Sequence, residues 1–386
     1  MSIARRGEAV AMANYPPRPL ALVRGEGCWV WDDEGKRYLD LVAGIAVVAL
    51  GHGHPAPVRA FAEQAAVLGH VSNLHWSEPA VALAERLCAL SGMQRAFLCN
   101  SGAEANEAAI KLARRHGGAE RRGIVALEGA FHGRTLGALA ATWGDARKEP
   151  FAPLPEGFAH VPRNDVDALR AAVGPGTAAV LIEPIQGEGG VQAVDADFLA
   201  AARALCDEHG ALLIFDEVQT GIGRTGAWFA FQHGSVQPDV VTLAKGLGSG
   251  VPIGAVLARD LGRGFEPGDH GTTFGGSPPV AAAALAVLDA IEAEGLVANA
   301  RDVGARLAAA LAALPGVAEV RGAGLMLGVE LAAGDAGAVA AALRERGVLV
   351  NAVTPTALRM VPPLVLTAEQ ADLAAAELGH VLAVRG

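Results

Sequence analysis

The segment Leu212-Leu213-Ile214-Phe215-Asp216-Glu217-Val218-Gln219 runs an apolar strand into acidic and amide side chains. In α/β folds the carboxyl ends of strands are where sites are built, although a strand-end carboxylate is also a common cap for the backbone that follows. Farther on, Val240-Val241-Thr242-Leu243-Ala244-Lys245-Gly246 runs a second apolar strand into a lysine, with Gly246, Gly248 and Gly250 close by. The chain has only four lysines (Lys36, Lys111, Lys148, Lys245), and this one is not in an ordinary surface-charge setting. A strand-end aspartate with a strand-end lysine has a specific chemical meaning. Pyridoxal 5'-phosphate needs an amine to form a Schiff base, and a carboxylate to keep its pyridine nitrogen protonated so that the ring withdraws electrons. It also needs a phosphate cradle. Asn100-Ser101-Gly102-Ala103-Glu104-Ala105-Asn106 supplies one, a small-residue turn opening a helix with free N–H groups at its positive end. Phe131-His132-Gly133-Arg134-Thr135 offers an aromatic ring to stack and a cation for a carboxylate.

The elements that must position these groups follow an α/β pattern. Apolar β-type runs at 96–99, 123–127, 178–182, 211–215 and 240–243 alternate with helical stretches at 103–116 and 197–208. Asn100 or Ser101 is a candidate cap for the first helix, and Asp195 for the second. An alanine-rich run, 278–294, reads as one long helix, followed by short strands at 317–320, 325–330 and 348–351. The pattern predicts a large cofactor-binding domain with a mostly parallel sheet over 46–279. A smaller α+β domain comes from 1–45 and 280–386. Gly221-Ile222-Gly223-Arg224-Thr225-Gly226 spells a dinucleotide fingerprint, but it does not lead from a strand straight into a helix, as that fingerprint requires.

Composition narrows the class. The 386 residues are 52% hydrophobic and 19% charged, enough apolar material for a sizeable core. Mean hydropathy is +0.31, yet the longest apolar stretches, 41–51 and 278–288, fall short of the ~20 residues a bilayer requires. Four well-separated cysteines (Cys28, Cys88, Cys99, Cys206) have no metal-like spacing and read as reduced thiols of a cytoplasmic protein. A net charge of −10 argues against nucleic acid as a partner. No membrane partner and no metal are expected.

Taken in chain order, the blocks 51–55 (Gly-His-Gly-His-Pro), 100–106, 131–135, 183–190 (Glu-Pro-Ile-Gln-Gly-Glu-Gly-Gly), 216–226, Lys245, 270–276 (His-Gly-Thr-Thr-Phe-Gly-Gly) and 358–359 (Leu-Arg) are similar to those of the class III, ornithine-type pyridoxal-phosphate aminotransferases. The resemblance spans nearly the whole chain. Within that family, 24–27, 41–51 and 321–328 most resemble the branch acting on N-acetylornithine. It implies fold type I of the pyridoxal-phosphate enzymes and a homodimer with shared active sites. The substrates implied are an amino acid and a 2-oxo acid: N-acetylornithine with 2-oxoglutarate, or else succinylornithine, ornithine, an acyl-lysine precursor or 4-aminobutyrate. An aminomutase or racemase is the more distant alternative. By matching position, Lys245 would hold the cofactor and move the proton, Asp216 would face the pyridine nitrogen, and Gln219 would sit by the phenolic oxygen. Ser101, Gly102 and Ala103 would cradle phosphate, Phe131 would stack on the ring, and Thr273 would reach the neighbouring subunit's phosphate. Arg134 and Thr272 would contact the acylated substrate. Arg359 would take the α-carboxylate of glutamate, with Glu188 pairing it when glutamate is absent. Ala103 stands where the family often has threonine, so a backbone contact survives there and a hydroxyl contact does not.

Overall fold

In the computed structural model, which describes residues 2–16, 18, 20–262 and 264–385, seven strands make one central sheet. Their order is Arg95–Cys99, Gly254–Ala258, Val240–Leu243, Leu212–Asp216, Thr177–Ile182, Gly123–Leu127, Phe158–Val161. The pairs from Val240–Leu243 onward are parallel, and Gly254–Ala258 alone runs against its two neighbours. Strands buried on both faces carry near-continuous apolar runs. Thr177–Ile182 and Leu212–Asp216 are buried at every position. The five strand expectations in this region fall on observed strands to within a residue. Two strands were not anticipated. Gly254–Ala258 has no polar alternation to mark it, because all five residues are buried. Phe158–Val161 is a short strand at the sheet edge.

The chain's two ends build smaller sheets. Leu22–Glu26, Trp29–Asp32 and Arg37–Asp40 form an antiparallel set, and Val348–Leu349 joins it in parallel. Val317–Ala323, Met326–Leu331, Ala357–Met360 and Asn351–Ala352 make a second antiparallel set. The single strand expected at 348–351 is thus split between two sheets. Pro278–Ala293 is one helix, as its composition suggests, with prolines in its first turn and Ala281, Ala284, Val287, Leu288 and Ile291 buried. It packs on the helices Pro55–Val67 and Glu78–Ser91.

Local chemistry explains several junctions. Ser101 caps the helix Gly102–Gly117, its Oγ accepting from Glu104 N at 3.2 Å. Asp195 occupies the corresponding position before Ala196–His209, but its side chain makes no capping bond. The apolar stretch after Asp40 folds as a left-handed turn, with φ of 50°, 64°, 66° and 60° at residues 43 to 46. Asp40 Oδ1 holds it by accepting from Val42 N and Ala43 N, both at 2.9 Å. The loop Gly221–Gly226 leads to no α-helix. Its buried Arg224 donates to Leu325 O at 3.0 Å and to Pro362 O, tying the central sheet to the C-terminal segment. Burial pushes the thiols of Cys28, Cys99 and Cys206 up to about 12, as suits core filler. Among the described residues no helix is long and apolar enough to cross a membrane.

Candidate active site

Parallel register sets the site. Asp216 pairs with Thr242 on the adjacent strand, so Asp216 and Lys245 leave the carboxyl edge of the sheet side by side. A cavity of about 470 Å³ opens there, lined by Ser101, Gly102, Ala103, Phe131, Arg134, Glu183, Glu188, Asp216, Gln219 and Lys245 among others. Its size suits a small cofactor with substrate.

Asp216, Asn106 and His132 form a buried polar cluster. Asp216 is 3% exposed. Its Oδ2 accepts from Asn106 Nδ2 and faces His132 Nδ1, each at 2.7 Å, and its Oδ1 accepts from Val218 N at 3.0 Å. Asn106 is itself fixed, donating to His132 O at 2.7 Å and accepting from Thr242 Oγ1 at 2.8 Å. In the sequence Asn106 reads only as the end of the phosphate turn and Thr242 only as strand; the structure gives both to the support of Asp216. Asn106 lies one helical turn beyond Gly102, on the same face, which is the signal that could have found it. Lys245 is part-buried and has φ of 43°, an unusual backbone state for a lysine. Burial, and after it the neighbouring Arg359 charge, pushes its amine down to about 8, against the opposing pull of Glu188, Asp216 and Glu183.

The two arginines of the region differ in setting. Arg134 is exposed, its guanidinium 5.5 Å from the centre of the Phe131 ring. Arg359 is 1% exposed. Its Nη1 donates to Glu188 Oε1 at 2.6 Å and to Gln219 Oε1 at 3.3 Å, and its Nη2 to Asn351 Oδ1 at 3.4 Å. Arg359 Nε is buried without a partner. Glu183 joins two sides of the cavity, accepting from Phe131 N at 2.7 Å and Gly187 N at 3.2 Å. Burial raises its carboxyl well above the usual range, opposed by His132 and reinforced by Asp216. Glu217 points away, accepting from Ala230 N, Phe231 N and the Thr220 hydroxyl. Its task is to hold the loop after the strand.

Two sequence candidates lie elsewhere. Thr272 Oγ1 accepts from Asn100 Nδ2 at 3.0 Å, and Thr273 is exposed. Neither lines this chain's cavity, and Arg359 reaches it only through its contacts with Glu188 and Gln219.

The donor set fits pyridoxal phosphate. An amine, a buried carboxylate fixed by three neighbours, an aromatic face and the N-terminus of a 16-residue helix converge on one cavity. The model of the Aminotransferase class-III family matches residues 10–382. The chain belongs to the class-III aminotransferases. Enzymes of this class depend on pyridoxal phosphate, and this member has the mostly parallel sheet of fold type I. It is 52% identical over 373 residues to acetylornithine aminotransferase 1 of Bordetella bronchiseptica, covering 94% of this chain and 95% of that one. It is also 52% identical over 386 residues to the acetylornithine aminotransferase of Mycolicibacterium smegmatis, covering 99% and 98%. Among solved structures, the ornithine aminotransferase of Toxoplasma gondii, with pyridoxal phosphate at partial occupancy, superposes with a TM-score of 0.94 at 34% identity. That match covers 99% of this chain and 93% of that one.

Proposed function

We propose that this class-III aminotransferase exchanges an amino group between the terminal amine of N-acetylornithine and 2-oxoglutarate. In the biosynthetic direction glutamate would supply the nitrogen and N-acetylglutamate 5-semialdehyde would receive it, a step of arginine biosynthesis. The observation that carries this reading is the 52% identity to acetylornithine aminotransferases across nearly the whole of both chains. Pyridoxal phosphate, when bound, supplies an electrophilic carbon for amines and a ring that accepts the electron pair released at the substrate carbon.

The residues divide the remaining work. Lys245 anchors the cofactor and then holds and returns the proton at the amine-bearing carbon, a role that suits an amine pushed down to about 8. Asp216, kept in place by Asn106, His132 and Val218 N, would face the pyridine nitrogen. Gln219 would sit by the ring's phenolic oxygen, Phe131 would stack on the ring, and Ser101, Gly102 and Ala103 would hold the phosphate at the helix N-terminus. Arg134 takes the carboxylate of the acylated substrate, which lies far from its reacting amine. Arg359 takes the α-carboxylate of glutamate once Glu188 moves aside.

The active unit is a homodimer. Asn73 Nδ2 donates to Thr272 O at 2.8 Å and to Gly275 O at 3.3 Å, joining two segments that expose Leu74, Trp76 and Phe274. A surface so apolar is suited to burial against a second copy. It would carry Thr272 and Thr273 to the partner's cavity. The unpaired thiols suit a reducing cytoplasm.

Incubation of the purified enzyme with N-acetylornithine and 2-oxoglutarate should yield glutamate and the semialdehyde in equal amounts. An aminomutase or racemase would leave 2-oxoglutarate unconsumed.

A further inference from the structure

Arg321, Gly328 and Arg359 stand directly opposite one another on three adjacent strands of the C-terminal sheet. Directly paired residues project from the same face, so this row offers two guanidinium groups with a side-chain-free gap between them. The loop 187–190 lies across that row. Its Glu188 Oε1 meets Arg359 Nη1 at 2.6 Å, and its Gly190 O accepts from Arg321 Nε at 2.8 Å. A Cβ on Gly328 would stand 2.8 Å from Gly190 O and 2.9 Å from Val191 Cβ.

Arg321 is itself immobilised. It donates to Glu330 Oε2 at 2.8 Å and to Glu319 Oε2 at 3.1 Å, and its side chain is 11% exposed. Immediately after the loop, Val191 is fully buried with φ of 56°. A β-branched side chain rarely adopts that backbone state, which persists only where the surroundings enforce it. At the loop's other end Gly187 N donates to Glu183 Oε2 at 3.2 Å. Glu188 is therefore the one side chain on a span fixed at both ends, with glycines on either side of it.

We propose that Arg321 is a positioning residue for the Glu188–Arg359 contact. It is a strut that holds the rear of the loop and the strained Val191, so that the Glu188 carboxylate returns to Arg359 whenever no dicarboxylate occupies the site. The inference rests on the proposed pairing of Glu188 with Arg359 as a barrier to carboxylates. A glycine-rich span released at one end regains backbone freedom, which lowers the effective concentration of its carboxylate at Arg359. The block 321–328 thereby acquires a task. Arg321 grips the carbonyl, and Gly328 leaves room for it.

The test is the calorimetric affinity of the holoenzyme for glutarate, a dicarboxylate with no amine to transfer. Glu188→Ala should tighten glutarate by about threefold or more, the scale of coupling between contacting residues. Arg321→Gln should tighten it in the same direction, and the double variant should bind no tighter than Glu188→Ala. Gly328→Ala, which keeps both arginines and displaces the Gly190 carbonyl, should reproduce Arg321→Gln and serves where that variant folds poorly. Unchanged or weaker glutarate binding in both Arg321→Gln and Gly328→Ala, beside a tighter Glu188→Ala, overturns the strut alone. So does a double variant in which the two effects multiply. If Glu188→Ala leaves glutarate unchanged, the pairing and the strut fall together.

Discussion

His132 Nδ1 lies 2.7 Å from Asp216 Oδ2, and neither side chain is more than 3% exposed. With Asn106 on the same oxygen, this contact leaves the carboxylate no freedom to turn from the cavity. An amide in its place would lack the charge that faces the pyridine nitrogen and would aim a donor or a weaker acceptor at two fixed neighbours. Asp216→Asn should lower turnover by at least about 10²-fold, the range of an electrostatic stabiliser. Unchanged turnover and cofactor affinity would reduce Asp216 to a cap on the strand end.

Lys245 should carry the cofactor covalently. Borohydride reduction of the holoenzyme should fix the chromophore to the peptide containing Lys245. Label on Lys36, Lys111 or Lys148 would contradict this. Lys245→Ala should retain some cofactor and lose transamination by about 10³-fold or more.

The same amine sets a pH dependence. Only its neutral form condenses, and its pKa is pushed down to about 8. Covalent capture of cofactor by the apoenzyme should therefore rise by about tenfold per pH unit below about 8 and level off above it. An ordinary lysine would keep gaining toward ~10.4. A rise that continues to pH 10 would show that the amine is not desolvated.

Arg134 lines the cavity and is exposed, whereas Arg359 is buried behind Glu188 and Gln219. A guanidinium grips a carboxylate through two parallel bonds that lysine cannot reproduce. Arg134→Lys should weaken N-acetylornithine more than glutamate, measured as kcat/KM for each. Equal losses would leave Arg134 no selective role.

How much of this was legible in the sequence depended on distance along the chain. Asp216 and Lys245 each end an apolar strand, so short-range pattern revealed them. The network behind Asp216 was not legible, because Asn106, His132 and Thr242 come from three separate elements that meet only in the folded sheet. The row Arg321–Gly328–Arg359 depends on strand register, and the almost wholly buried strands Met326–Leu331 and Ala357–Met360 offer no alternation from which to read it. The glycines at 221–226 spell a nucleotide motif, but only a short 3-10 helix, Ala230–His233, follows. In the fold they bring Arg224 against the carbonyls of Leu325 and Pro362.

The contact between Glu188 on its loop and Arg359 on its strand has a kinetic consequence. Glu188 keeps 31% of its side chain exposed, so water weakens the contact and lets it open. Glu188→Ala should favour the glutamate half-reaction over the N-acetylornithine half-reaction by about tenfold, one 1.4 kcal/mol step. Stopped-flow measurement of both halves checks this. An unchanged ratio means that Glu188 does not screen Arg359.

One comparison tests the substrate choice. With 2-oxoglutarate saturating, kcat/KM should be measured side by side for N-acetylornithine, succinylornithine, ornithine and 4-aminobutyrate. A cavity lined by the exposed Arg134, with Arg359 held behind Glu188, predicts that N-acetylornithine exceeds ornithine and 4-aminobutyrate by at least about tenfold. A faster reaction with ornithine or 4-aminobutyrate would contradict the assignment.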